Sequence, residues 1–155
     1  LSGTPRFFNL LARNVLLFEP PISILGSFIL EEEDRGHPAM DIKGAMAQMV
    51  DFARIYALKH GLSQSNTRRR IQMLSDRGIF ETAHAEEMLT TYESLMRIRL
   101  ETQARYVRGQ REPNNLIVPD SLATIDQKIL KQALIQIKYF QNRLSYDFAA
   151  GSRRA

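Results

Sequence analysis

The chain has 155 residues, 44% of them apolar and 25% charged, the make-up of one soluble globular domain long enough to bury roughly 70% of its unfolded surface. It contains no cysteine, which excludes disulfides and thiolate metal sites and makes a reducing cytoplasm the default compartment. A net charge of +4 and a pI near 9.6 permit an anionic partner, and no apolar run reaches the roughly 18 residues that a membrane span needs.

The opening Leu1-Ser2-Gly3-Thr4-Pro5 has neither an initiator methionine nor a signal-peptide pattern, as expected of a segment cut from a longer protein. Thr4 before Pro5 is a helix start, an N-cap with proline at the first position. The first helix is predicted to run to about residue 17 and to stop before Pro20 and Pro21. Residues 22–41 hold short apolar runs around the turn chemistry of Asp34-Arg35-Gly36-His37-Pro38. They read either as a small hairpin near residues 28–43, with 29–31 facing 40–42, or as an irregular loop.

A second helix is predicted over 43–60, closed by Gly61. A third starts after Ser65 or Asn66 and ends at Gly78, and a fourth spans 82–108 before Gly109 and Pro113-Asn114-Asn115. The fifth opens on a capping-box pattern, Thr124-Ile125-Asp126-Gln127. Its stripe of Ile129, Leu130, Ala133, Leu134, Ile137, Phe140 and Leu144 keeps a 3.6-residue period. The fold class is therefore all-α, a bundle of about five helices in one domain over 4–148, with a loose tail at 149–155.

The second helix is apolar on nearly every face, yet it carries Asp51 and Arg54 one turn apart. A charge buried in such a helix must be paired or bound to something, so these two satisfy each other or face a ligand. On the fourth helix Arg99 and Gln103 are neighbours at i,i+4. They could grip a phosphate or carboxylate, or Arg99 could form an interhelical ion pair with Asp51 or Glu101. Asn66 and Thr67 stand where the third helix exposes its first amides, as an anion site or as plain capping residues. Asn114 and Asn115 read as turn residues. Arg68-Arg69-Arg70 reads as a solvated face or as the neighbourhood of an anion site.

Catalytic signatures are missing. His37, His60 and His84 are scattered, and there is no glycine loop for phosphate and no nucleophile elbow. Gly26-Ser27 is followed too closely by Glu31-Glu32-Glu33-Asp34 for a metal-holding pair of acids. Arg54 and His60 would not share a helix face, and His60 sits at a helix C-terminus, where an imidazolium is favourable. Catalytic and metal residues are expected to be none.

Taken together, Pro20-Pro21, Asp41-Ile42-Lys43, Val50-Asp51-Phe52-Ala53-Arg54-Ile55-Tyr56-Ala57-Leu58, Asn66-Thr67, Arg97-Ile98-Arg99-Leu100 with Gln103, Pro113-Asn114-Asn115, and Leu130-Lys131-Gln132-Ala133 with Gln141 carry a family resemblance. From about Phe7 to Phe148 the chain resembles the nucleotidyltransferase substrate-binding domain of bacterial signal-transduction proteins. The resemblance implies a bundle related to the C-terminal domains of kanamycin nucleotidyltransferase and of the enzymes that uridylylate or adenylylate nitrogen-regulation proteins. It also implies an upstream nucleotidyltransferase domain, itself often preceded by cyclic-nucleotide-binding and CBS modules.

On that basis the chain is expected to be an accessory domain that positions an acceptor, protein or small molecule, for nucleotidyl transfer performed upstream. The expected substrate-binding residues are Asp41, Lys43, Asp51, Arg54, Asn66, Thr67, Arg99 and Gln103. No cofactor is expected in this domain, with Mg or Mn and the nucleoside triphosphate held upstream. A homodimer is an open partner, no membrane is expected and nucleic acid is disfavoured. The competing expectation is a regulatory or dimerising scaffold, and behind it an RNA-binding or RNA-cleaving helical domain.

Overall fold

Capping chemistry and apolar periodicity set most of the helix boundaries in the computed structural model, which describes residues 5–149. The helices are α1 (Pro5–Val15), α2 (Ile42–Lys59), α3 (Thr67–Asp76), α4 (Thr82–Arg108) and α5 (Thr124–Ala149). Pro5 opens α1 as expected; Thr4 and residues 150–155 lie outside the described residues. The last turn of α1 tightens, with Leu17 N–H on the Asn14 carbonyl and Phe18 N–H on that of Val15, so the helix proper stops two residues before position 17. Asn66 caps α3 by accepting from the Arg69 amide at 3.0 Å. Gly61 and Gly78, both left-handed, terminate α2 and α3. The capping box expected at Thr124 does not form: Thr124 is already helical, Gln127 N–H bonds the Ala123 carbonyl, and the Gln127 carboxamide donates to the Leu122 carbonyl.

Residues 22–41 are neither a plain loop nor the hairpin in its expected place. β1 (Glu32–Asp34) pairs antiparallel with β2 (His37–Asp41), Glu32 opposite Ala39 and Asp34 opposite His37. This continues the expected register three residues nearer the turn. Arg35 and Gly36 both have positive φ, 56° and 82°, as a two-residue hairpin turn that follows the strand twist demands. A third strand, β3 (Leu116–Ile117), pairs with the other edge of β2 through Asp41 and Met40. Two residues are too few to leave a strand signal in the sequence.

β2 runs directly into α2, and α2 packs against all four other helices. Its Ile42, Ala45, Met46, Met49, Phe52, Ala53, Ile55, Tyr56 and Ala57 are buried. Phe52 lies 4.8 Å from Tyr56, 5.3 Å from Phe140 and 5.7 Å from Phe80 by ring centroids, which joins α2, α5 and the turn after α3. The α5 stripe is buried from Leu130 to Leu144, with Ile129 partly covered. The buried Gln141 carboxamide donates to the Val15 and Phe18 carbonyls at the end of α1 and to Gln48 Oε1, so orphan helix-end acceptors are satisfied from α5.

Candidate functional site

The eight residues expected to bind substrate fall into two groups along α2. At its N-terminal end Asp41 is the N-cap and accepts from the Lys43 amide at 2.8 Å. The Ile42 amide donates to the Asn115 carbonyl at 3.0 Å. Asn115 is also where Arg99 and Gln103 meet: Arg99 Nε donates to its Oδ1 at 3.0 Å and Gln103 Nε2 approaches the same oxygen at 3.5 Å. Gln103 donates as well to the Asn114 carbonyl at 3.2 Å. Arg99, Gln103 and the start of α2 at Ile42 thus converge on Asn114 and Asn115, which form a hub rather than a simple turn, while Asp41 and Lys43 flank it.

The ion-pair role open to Arg99 belongs to Arg97, which bridges Glu101 at 3.2 Å and Asp126 on α5 at 2.7 Å. Those carboxylates hold the Arg97 pKa above its ordinary value, with the Asp126 hydrogen bond the largest cause.

The second group lies about 15 Å further along α2, at 1.5 Å per residue. Lys43, Ala47, Asp51, Arg54 and Leu58 fall within about 80° of one another at 100° per residue and make the exposed face of an otherwise buried helix. Asp51 and Arg54 satisfy each other at 2.9 Å, 30% and 48% exposed, so the pair sits at the surface and not inside the core. Asn66 and Thr67 begin α3, which packs on α2; Asn66 spends its side chain on the cap and Thr67 is buried.

The triplet at 68–70 divides by orientation. Arg68 pairs with Glu93 of α4 at 2.9 Å, whereas Arg70 is partly buried and donates to the Gln64 carbonyl at 2.6 Å. The Arg70 pKa is lowered by burial and then by the Arg54 guanidinium, with Asp51 opposing. Asp51 pairs with Arg54, and among the described residues no carboxylate is in an ion pair with Arg70.

His60 is the C-cap of α2, but the charged imidazolium expected there is disfavoured. Burial, then Lys59 and Arg77, pull its pKa down against the helix dipole.

A cavity of about 630 Å³ opens where the β1–β2 turn faces the end of α4 and the segment leading to α5. Asp34 on its wall is buried and holds three parts of the chain together. It accepts from the Tyr106 hydroxyl of α4 and, at 3.1 Å, from the Asn114 carboxamide. Burial, then the Asp34 hydrogen bond, raise the Tyr106 pKa. In the sequence Asp34 belongs to turn chemistry and Tyr106 stands in no motif. Tyr106 follows Arg99 and Gln103 at i+7 and i+3, so the stripe itself was the available signal. Among the described residues, no three His, Asp or Glu side chains are placed to share a metal ion.

Residues 5–148 match one protein-family model, described as "Putative nucleotidyltransferase substrate binding domain". No curated protein and no solved structure gives a significant match.

Proposed function

The chain belongs to that family of nucleotidyltransferase substrate-binding domains, and from this premise we propose that it holds the acceptor against a nucleotidyltransferase domain elsewhere in the same protein. The observation that carries this reading is the charged face of α2 and α3. Asp51 is paired with Arg54, while Arg70, at the start of the adjoining helix, spends an N–H on the neutral Gln64 carbonyl, and an anionic group on the acceptor would balance this excess of positive charge. Guanidiniums suit the task because their planar fork grips phosphate or carboxylate through two N–H donors.

Lys43 on the same face extends the positive charge toward the Asn115 hub. Arg99 and Gln103 hold Asn115, whose carbonyl accepts from the Ile42 amide at the start of α2, and in the other group Asn66 caps α3. Asp41, by capping α2, and Asp51, by orienting Arg54, are positioning residues. An open face rather than a deep pocket fits a reaction at a domain junction, where the second wall comes from the catalytic partner. The gain is orientation: the acceptor nucleophile is held near the nucleotide α-phosphate instead of reaching it by diffusion. The divalent metal and the triphosphate belong to that partner domain. The setting, a bacterial cytoplasmic signal-transduction protein with cyclic-nucleotide-binding or CBS modules, is proposed on the family resemblance.

The test is nucleotidyl transfer by the full-length protein, with each labelled nucleoside triphosphate and magnesium or manganese, against cell extract. Arg54→Ala and Arg70→Ala should each lower kcat/KM for the labelled acceptor by about tenfold or more, the equivalent of one charge-assisted contact. Unchanged transfer by both folded variants would sink the reading. A second reading, a regulatory or dimerising scaffold, is favoured by the apolar surface of Leu17, Ile24 and Leu25, which are 80%, 95% and 93% exposed. Transfer that survives deletion of the domain would decide for it.

A further inference from the structure

The geometry points to a second ligand site, in the cleft between the β1–β2 turn and the end of α4, that takes a small phosphate monoester with a hydroxyl-bearing body. It is independent of the acceptor face on α2 and α3. The cleft's volume of about 630 Å³ is of the size that small-molecule sites occupy.

Its charges are unevenly used. Both oxygens of Asp34 are taken, one by the Tyr106 hydroxyl and the other by Asn114. Three guanidiniums line the same space, from Arg35, Arg105 and Arg111. Among the described residues none of the three is in an ion pair. Arg35 lies over the Tyr106 ring, 5.8 Å from its centroid, and is steered into place by the left-handed turn. Arg105 donates to Thr102 Oγ1 at 3.1 Å and reaches the Ser121 carbonyl at 3.4 Å, both neutral acceptors.

Three cations around one committed carboxylate, in a partly enclosed space, favour a dianion. Asp120, next in sequence to the Ser121 that Arg105 reaches, also lines the cleft and narrows the class. A free carboxylate there repels a bare phosphate but accepts hydrogen bonds from sugar-like hydroxyls. A phosphate monoester whose phosphate meets the guanidiniums and whose hydroxyls meet Asp120 satisfies both signs of charge in the lining at once. The other faces of Asp34 and Asn114 lead through Asn115 to Arg99, Gln103 and the start of α2, so this hub separates the cleft from the acceptor face.

The test is titration calorimetry on the full-length protein with ribose 5-phosphate, inorganic phosphate and ribose, in the absence of nucleoside triphosphate. Ribose 5-phosphate should bind at least about tenfold more tightly than inorganic phosphate, and ribose should not bind measurably. Arg105→Gln and Arg111→Gln should each weaken ribose 5-phosphate about tenfold while leaving the melting curve in place. Asp120→Asn should narrow the preference over inorganic phosphate. Arg54→Ala should leave this binding unchanged even though it impairs acceptor transfer, so failure here and failure of the acceptor reading are told apart. Equal affinity for inorganic phosphate, no binding of any probe, or insensitivity to both arginine variants would each overturn the proposal.

Discussion

Two tyrosine–aspartate pairs, built from the same groups, have opposite fates in this molecule. In the core, the Tyr56 hydroxyl of α2 donates to Asp147 of α5. At the cleft, the Tyr106 hydroxyl of α4 donates to Asp34 of β1. Each pair has an arginine close by. In the core pair the phenol is buried and the acid stands at the edge, where Arg143 approaches it at 3.8 Å. Arg143 also donates to the Ile79 carbonyl and stacks over the Tyr56 and Phe80 rings, so its binding capacity is used internally. In the cleft pair the acid is buried and the phenol faces the cavity, with Arg35 above it and no carboxylate for the guanidinium to hold. The first arrangement closes on itself and fastens two helices. The second fastens a hairpin to a helix and leaves cations available. Availability, not residue type, separates a structural cluster from a candidate site.

The largest expected effect that would test this contrast is at Asp34. Asp34→Ala removes a buried acceptor of two hydrogen bonds that tie β1, α4 and the 113–115 segment, and should cost about 2–3 kcal/mol in urea unfolding. A loss below about 0.5 kcal/mol, the range of an ordinary surface substitution, would break the comparison.

Next is Tyr56→Phe, expected to cost about 1 kcal/mol at neutral pH. The Tyr56 pKa is pushed well above that of an ordinary phenol, by burial first and then by Asp147. The contribution of Tyr56 to stability is therefore complete below about pH 10, the unfolded value, and is lost as pH climbs from there toward the raised folded value. Melting curves between neutrality and high pH should show a shallower alkaline decline in the variant than in the parent.

The smallest effect is Tyr106→Phe, about 0.5 kcal/mol, because water can reach the half-exposed phenol and replace its partner. Its alkaline signature should have the same sign and be weaker. An alkaline decline steeper than that set by Tyr56 would reverse the ranking of the two pairs.

Much of the helical frame was legible before any contact was known. Asn66, Gly61, Gly78 and the apolar stripe of α5 act on neighbours within a turn or two, and α4 begins and ends where its sequence pattern does. Arg99 and Gln103 were legible as side-by-side neighbours for the same reason. Their destination was not, because Asn115 lies beyond the end of α4 at Gly109 and Pro113. Nor could the sequence show that Arg97 would take the ion pairs or that Arg70 would turn inward beside Arg54.

By itself, then, the sequence determined the five helices, the ends marked by Asn66, Gly61 and Gly78, the turn at Arg35 and Gly36, and the family, since these rest on local dihedral preferences and short-range periodicity. Only the tertiary structure decided that Asp51 and Arg54 meet at the surface, that Asp34 reaches Tyr106 and Asn114 across more than seventy residues, and that three arginines share one cleft. Those outcomes depend on which helix faces the core consumes. A polar side chain is left free to act only where packing brings it to the edge of that core without a partner.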